Sequence, residues 1–302
     1  MNLTSRLLRA GRLLTTAWLL AAVFCSWAAA SPADALRARH AALAEELAHT
    51  AFQQPIHLES SQTPSELKGE VFAIIEHPFD MLSGALQGER QWCDILILHL
   101  NVKHCRAVGA PASMIELSVG KKHDQPVDEA YRLNFNYQLV ASAPDYLKLQ
   151  LSAGEGPMGT RDYRIVVEAI PIDAHHSFMH MSYAYGYGFA ARMAMQAYLG
   201  TVGSGKVGFS VVDRRGGQPV YVDNVRGVVE RNTMRYYLAI DAYLDSLSAP
   251  PQDRQERRLR GWFAATERYP RQLHEMEQAD YLAMKRKEIA RQQADMQTAK
   301  TG

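Results

Sequence analysis

Residues 175–189 read HHSFMHMSYAYGYGF, and the fold turns on how this stretch is taken. Imidazoles and thioethers are soft metal ligands. Neighbouring residues of a strand face opposite sides, so Met179, His180 and Met181 cannot close on one ion. His176 and His180 share a face but stand ~13 Å apart along a strand. Taken as a strand, the stretch resolves. Met179, Met181, Tyr183, Tyr185 and Tyr187 line one face; His176, Phe178, His180, Ser182, Ala184 and Gly186 line the other. The first face is large and amphipathic, suited to a helix contact or a pocket. The histidines are expected on the outer face, satisfied by hydrogen bonds.

The same period of two runs through the residues before it. In YRLNFNYQLV, Tyr131, Leu133, Phe135, Tyr137 and Leu139 point one way and polar residues the other. One buried and one wet face is the pattern of an antiparallel sheet. NVKHCRAV from 101, MIELSVGKK from 114, YLKLQLSA from 146 and RDYRIVVEAIPI from 161 read as further strands, and Gly154–Thr160, Pro171 and Asp173 fall in turns. KVGFSVVDRRGGQPVYVD is a hairpin turning at Gly216-Gly217.

Helical spacing marks the remainder. DALRARHAALAEELAHTAF predicts a helix over 34–52, followed by the polar linker HLESSQTPSELKG. EVFAIIEH is a short strand, and Pro78 opens a helix to about Leu98, broken at Gly88. FAARMAMQAYL, 189–199, is an apolar helix. A longer one over 225–247 carries a stripe of Val225, Val229, Tyr236, Ile240, Tyr243 and Leu247. From Asp253 the tail is helical and mixed in charge, interrupted at Pro270 and frayed from about Gln292, with Trp262 and Phe263 on its apolar side.

The chain opens with Arg6, Arg9 and Arg12 before an apolar run, Leu13–Phe24, and the small residues Ala28-Ala29-Ala30. That is the pattern of a secretory signal peptide cleaved after about Ala30. Of 33 Lys+Arg and 32 Asp+Glu, the mature chain keeps 30 and 32. No global basic field for nucleic acid remains. An exported, periplasmic chain with two remaining cysteines, Cys93 and Cys105, is expected to join them. In one extended strand they would lie ~40 Å apart, whereas a bridge needs ~7 Å or less. A fold-back is therefore needed: helix, turn, strand.

Strand, helix pair, about six antiparallel strands, then helix: in this order, and in EVFAIIEHPFDMLSGALQGERQW (70–92), the chain resembles the START-like, helix-grip superfamily (SRPBCC-type) of hydrophobic-ligand carriers. The resemblance covers about residues 67–248. It implies an α+β fold in which a curved antiparallel sheet of six or seven strands wraps a long helix and leaves a cavity. Residues 31–66 and 249–302 are then N- and C-terminal additions. Of two candidates for the gripping helix, 189–199 and 225–247, the longer is preferred.

The expected function is binding of a lipid or other hydrophobic molecule. Tyrosine supplies a polar tip on an apolar body and methionine an adaptable shape. The expected ligand residues are Tyr131, Phe135, Tyr137, Met179, Met181, Tyr183, Tyr185, Tyr187 and Tyr236, with Arg161 or Arg192 anchoring a head group. No cofactor or metal is expected. GTVGSGKV places Val207 where a phosphate loop needs Ser or Thr, and follows a helix rather than a strand. No nucleophile elbow occurs. Two other readings stay open: an envelope scaffold docking a partner through its C-terminal helices and Trp262-Phe263, and an enzyme using His180 or a tyrosine as acid/base.

Overall fold

The computed structural model describes residues 30–109, 112–200 and 205–301. The expected signal peptide and residues 201–204 of the glycine loop lie outside the described residues. Strands β1 (Ile56–Gln62), β2 (Glu66–Ile75), β3 (Val102–Gly109), β4 (Ala112–Val119), β5 (Tyr131–Ala143), β6 (Tyr146–Glu155), β7 (Thr160–Pro171) and β8 (Ser177–Tyr187) form one sheet. Its order is β1-β2-β8-β7-β6-β5-β4-β3, and every pair is antiparallel. An extra residue between Leu139 and Ala141 in β5, and another between Arg161 and Arg164 in β7, break the ladder and bend those strands.

The count is eight rather than six or seven because the expected linker is β1. IHLESSQ alternates only weakly, and its exposed end at Ser61 and Gln62 gives it a polar look. Those are the residues a strand at the sheet's margin carries.

Between β2 and β3 lie α3 (Phe79–Leu86) and α4 (Glu89–Leu96), separated at Gly88. The chain then turns and returns as β3. Cys93 and Cys105 meet across that fold-back as a disulfide, Cα atoms 5.3 Å apart.

The inner face of the sheet holds the main core, built on Leu67, Val71, Leu149, Val167, Met179 and Met181. Helix α6 (Asn224–Ser246) lies on it, against β1, β2 and β8. Gly69 allows this approach: a Cβ there would stand 2.2 Å from Thr233 Oγ1. Thr233 Oγ1 donates to the Val229 carbonyl at 2.7 Å, so swinging it away would cost that buried bond. The other candidate, α5 (Phe189–Gly200), does not grip the sheet; it packs on α6 and the turn at Pro157–Gly159.

The outer face is also covered. Helices α1 (Pro32–Ala42) and α2 (Ala44–Ala48) bring Leu36, Leu43 and Leu47 onto Phe72, Ile170 and Phe178. β8 is thus buried almost throughout on both sides.

The hairpin of β9 (Val211–Arg215) and β10 (Gln218–Tyr221) stands apart as its own small sheet. The tail forms α7 (Arg254–Glu267), α8 (Pro270–Leu273) and α9 (Gln278–Thr301). Trp262 and Phe263 are buried, so this pair does not offer itself to a partner. Trp262 Nε1 donates to the Arg235 carbonyl, 3.1 Å, and its ring stacks on Tyr281. Nor does the tail fray from Gln292, which is buried and accepts from the Cys105 N–H, 2.9 Å. The tail's mixed charge includes part of an enclosed cluster: Lys285 and Glu288, with Lys103 of β3, have no exposed side chain.

Candidate ligand cavity

A cavity of about 770 Å³ opens between the inner face of β4, β5, β7 and β8 and the side of α6. Its sheet wall is Leu117, Leu133, Phe135, Tyr163, Tyr183 and Tyr185. Its helix wall is Val228, Arg231, Asn232, Arg235 and Tyr236. Those five recur at i, i+3, i+4, i+7 and i+8, one face of a helix. Met195 of α5 and the Pro157–Thr160 turn contribute the mouth. Met158 adopts φ 55°, with Gly159 at φ 77°, and its side chain is exposed there.

The aromatic residues form one connected group. Tyr163 stacks on Tyr185 with centroids 5.2 Å apart; Tyr183 lies 5.5 Å from Tyr185 and 5.2 Å from Tyr236. Phe135 meets Tyr163 edge-on. Burial pushes the phenols of Tyr183, Tyr185 and Tyr236 well above their usual range, so they stay protonated donors. Tyr185 points its hydroxyl at Met195 Sδ, 3.9 Å, and Tyr163 shares a hydrogen bond with Thr160 Oγ1, 2.8 Å.

The opposite end is polar. His99 is buried and stacks on Tyr236 at 5.0 Å. Its Nδ1 accepts from the Asn101 N–H, 3.2 Å. Burial, with Arg235, Lys285 and Lys122, holds its pKa well below the usual imidazole value. A neutral ring with Nδ1 accepting carries its proton on Nε2. Arg235 Nη2 and Lys122 Nζ both contact Glu275 Oε1 at 2.7 Å. Burial alone would raise Glu275, but Arg235, Lys122 and Lys206 outweigh it and hold the carboxyl below its ordinary value.

The loop presenting His99 is pinned from several sides. Asn101 and Gly120 exchange bonds of 2.7 Å. The His99 carbonyl accepts from Lys285 Nζ, 2.7 Å, and the Leu98 carbonyl from the Tyr281 hydroxyl, 3.0 Å. The same ammonium reaches Val102 O and Glu288. α9 therefore holds this end of the cavity from behind.

A curved sheet closed by one long helix, with a cavity between them, defines the architecture. The fold is of the helix-grip type. No protein-family model matches the chain, and no curated protein does. Among solved structures, truncated norcoclaurine synthase from Thalictrum flavum is similar at 11% identity and TM-score 0.34, over 47% of this chain and 91% of that one. The Zhui aromatase/cyclase from Streptomyces sp. R1128 is similar at 10% identity and TM-score 0.32, over 48% and 86%. A START superfamily protein from Mycobacterium smegmatis is similar at 6% identity and TM-score 0.30, over 40% and 76%.

Of the residues expected to meet ligand, Tyr131, Phe135, Tyr183, Tyr185 and Tyr236 line the cavity. Met179 and Met181 share the face of Tyr183 but lie in solid core, where β2 and β7 supply Ala73, Ala169, Val71 and Val167 beside them. Tyr187 lies beyond the other end of the cavity wall; its hydroxyl donates to the Thr63 carbonyl, 2.7 Å. Tyr137 is half-buried outside the cavity, where burial and Glu89 raise its pKa. Arg161 is half-exposed and pairs with Asp162 at 3.3 Å, because the β7 bulge turns it from the inner face. Arg192 reaches the Pro64 carbonyl, 3.0 Å.

His180 is not at the cavity. It sits on the outer face, stacked on Phe72 at 4.4 Å, between Glu70 (3.0 Å) and Glu168 (3.2 Å). Burial opposes its charge, but the two carboxylates win and raise its pKa; both carboxyls fall to about 2. Among the described residues no group of three or more potential ligands could hold a metal ion. Tyr163, His99, Arg231 and Arg235 are cavity residues that the sequence pattern did not pick out, whereas Asn232 falls in the row of the α6 stripe. The legible signal was two arginines, four residues apart, inside an apolar helix.

Proposed function

We propose that this protein binds a hydrophobic small molecule, of lipid character, in the cavity between sheet and α6, after export and removal of residues 1–30. The observation that carries the reading is the cavity itself. Its volume of about 770 Å³ lies within the ~300–1,000 Å³ typical of small-molecule sites. Its wall is aromatic and aliphatic, with a few convergent polar groups at one end. The Cys93–Cys105 bridge supports an oxidising compartment. Among the described residues no helix is long and apolar enough to cross a membrane.

Native and denaturing mass spectrometry of the protein made in an oxidising compartment tests this. The expected result is a native mass above the chain mass, the excess lost on denaturation. A bare chain that also takes up no added alkyl alcohol would overturn it.

A further inference from the structure

The cavity's polar end has a chemistry of its own. His99 is 4% exposed, yet its Nε2 has no hydrogen-bond partner in the structure. The Asn232 side chain is near enough to favour the protonated ring, but not placed to satisfy that atom. Buried polar groups of this kind are rare and ask for an explanation. Here the orientation is enforced. The backbone of Asn101 occupies Nδ1, Tyr236 stacks on the ring, and Lys285 holds the carbonyl. What is left over is one N–H donor on the cavity wall.

The charges around it are unbalanced. Among the described residues, Lys121, Lys122, Arg231 and Arg235 line the cavity against the carboxylate of Glu129. Behind them Glu275 is shared among Arg235, Lys122 and Lys206. Arg231 and Arg235 are one helical turn apart on the same face, and Arg231 Nη1 donates to the Val207 carbonyl at 3.2 Å. A cationic wall with low-dielectric surroundings focuses a positive potential into the cavity. The other end, Phe135, Tyr163, Tyr185 and Met195, offers an apolar bed.

We propose that the cavity selects an amphipathic molecule with an oxyanion head, a carboxylate or a phosphate monoester, which accepts from His99 Nε2 beside Arg231, Arg235 and Lys122 while its apolar body lies on the tyrosines. This inference rests on the binding reading above and narrows its ligand class. The head group would be met by charge-assisted hydrogen bonds, which are shorter and stronger than neutral ones. The cations expected from sequence to anchor a head, Arg161 or Arg192, are replaced in that role by the two arginines of α6.

Calorimetric titration of the full mature protein with dodecanoate, dodecyl phosphate and dodecan-1-ol separates the possibilities. The expected result is at least ~10-fold tighter binding of one or both anions than of the alcohol. That ratio should collapse to ~3-fold or less in His99→Phe, which keeps a ring against Tyr236 but removes the donor. Lys122→Gln, at a partly exposed position, serves if His99→Phe does not fold; it should reduce the ratio and flatten its dependence on salt. The tighter anion names the head group. Equal affinity for alcohol and anions in the native sequence overturns this inference and leaves the binding reading intact. An unchanged anion preference in the folded variants overturns it as well. Failure of all three probes to bind overturns both.

Discussion

Helix α6 meets two halves of one sheet in opposite ways. Over β1, β2 and β8 it comes down until Thr233 fills the space that a side chain at position 69 would take. Over β4, β5 and β7 it stands off, and a cavity of about 770 Å³ remains. The difference lies in residue size on adjacent faces of one helix. Val229, Thr233 and Ile240 pack down, whereas Arg231, Arg235 and Tyr236 face the open side. A cavity thus needs a closed half as a fulcrum and a propped half as a wall. On the propped side the support comes from outside the sheet, through α9, the Cys93–Cys105 bridge and the pinned His99 loop.

The strongest way to break that contrast is to remove the prop. Glu288 is the carboxylate between Lys103 and Lys285, at 2.9 and 2.8 Å, all enclosed. Glu288→Gln leaves two buried ammonium groups without their counter-charge and should cost ~4 kcal/mol, read as a fall in denaturant midpoint. Burial already lowers Lys285 to about 8 with Glu288 beside it, and removing that carboxylate lowers it further, so the cost should shrink as pH rises toward that value and level off above it. Unfolded lysine still binds its proton there, and stability therefore rises with pH through that window.

Removing the bridge comes next. Cys93→Ala with Cys105→Ala should cost ~3 kcal/mol for a loop this short, and weaken binding of an anionic probe more than of an alcohol, because the loop holding His99 loosens. Unchanged head-group selectivity would break the link drawn between bridge and cavity.

Gly69→Ala attacks the closed half. Its Cβ meets Thr233 Oγ1 at 2.2 Å, so α6 must lift, at ~2 kcal/mol. The contrast is sharpened by adding Thr233→Ala or Thr233→Ser: only the former, which removes the clashing oxygen, should recover most of the loss.

The smallest stability effect is expected inside the open half. Leu133→Trp fills space that holds no side chain and should shift stability by less than ~1.5 kcal/mol while weakening dodecan-1-ol at least ~10-fold. A large loss of stability with binding retained would mean that the space is not the site.

The outer face provides a control. His180, with a raised pKa, contributes stability that is fully present below its unfolded value of 6.5 and lost as pH rises through its folded one. Glu70 and Glu168, held at about 2, contribute above about 4.5 and lose it as pH falls. The stability difference between native and His180→Gln protein should therefore peak between ~4.5 and ~6.5, with ligand affinity unaltered.

Alternation in 175–189 and 131–140 was enough to read the sheet, its antiparallel sense and the face that looks inward. It was not enough to read depth. Met181 and Tyr183 are two residues apart on one face, yet one is sealed beneath the closed half and the other lines the cavity. What separates them is the helix above, which strand periodicity cannot report. β1 was missed because its margin position leaves polar residues in a strand. The tail's mixed charge did not show which of its charges are enclosed: Lys285 and Glu288 look like surface charges until Lys103 arrives from a strand 182 residues before Lys285. His99 had no local signal, since its orientation is set by α6, by the Asn101 turn and by α9.

That last dependence has a consequence for synthesis. Chains are made from the N-terminus, and domains assemble as their parts become available. The aromatic wall is complete once β8 and α6 have been made. The anchor for His99, Lys285, belongs to α9, the final helix described. A chain without those residues would present the aromatic cleft with no fixed donor at its end. On the binding reading proposed above, discrimination between ligands would be acquired last, after the capacity to hold them.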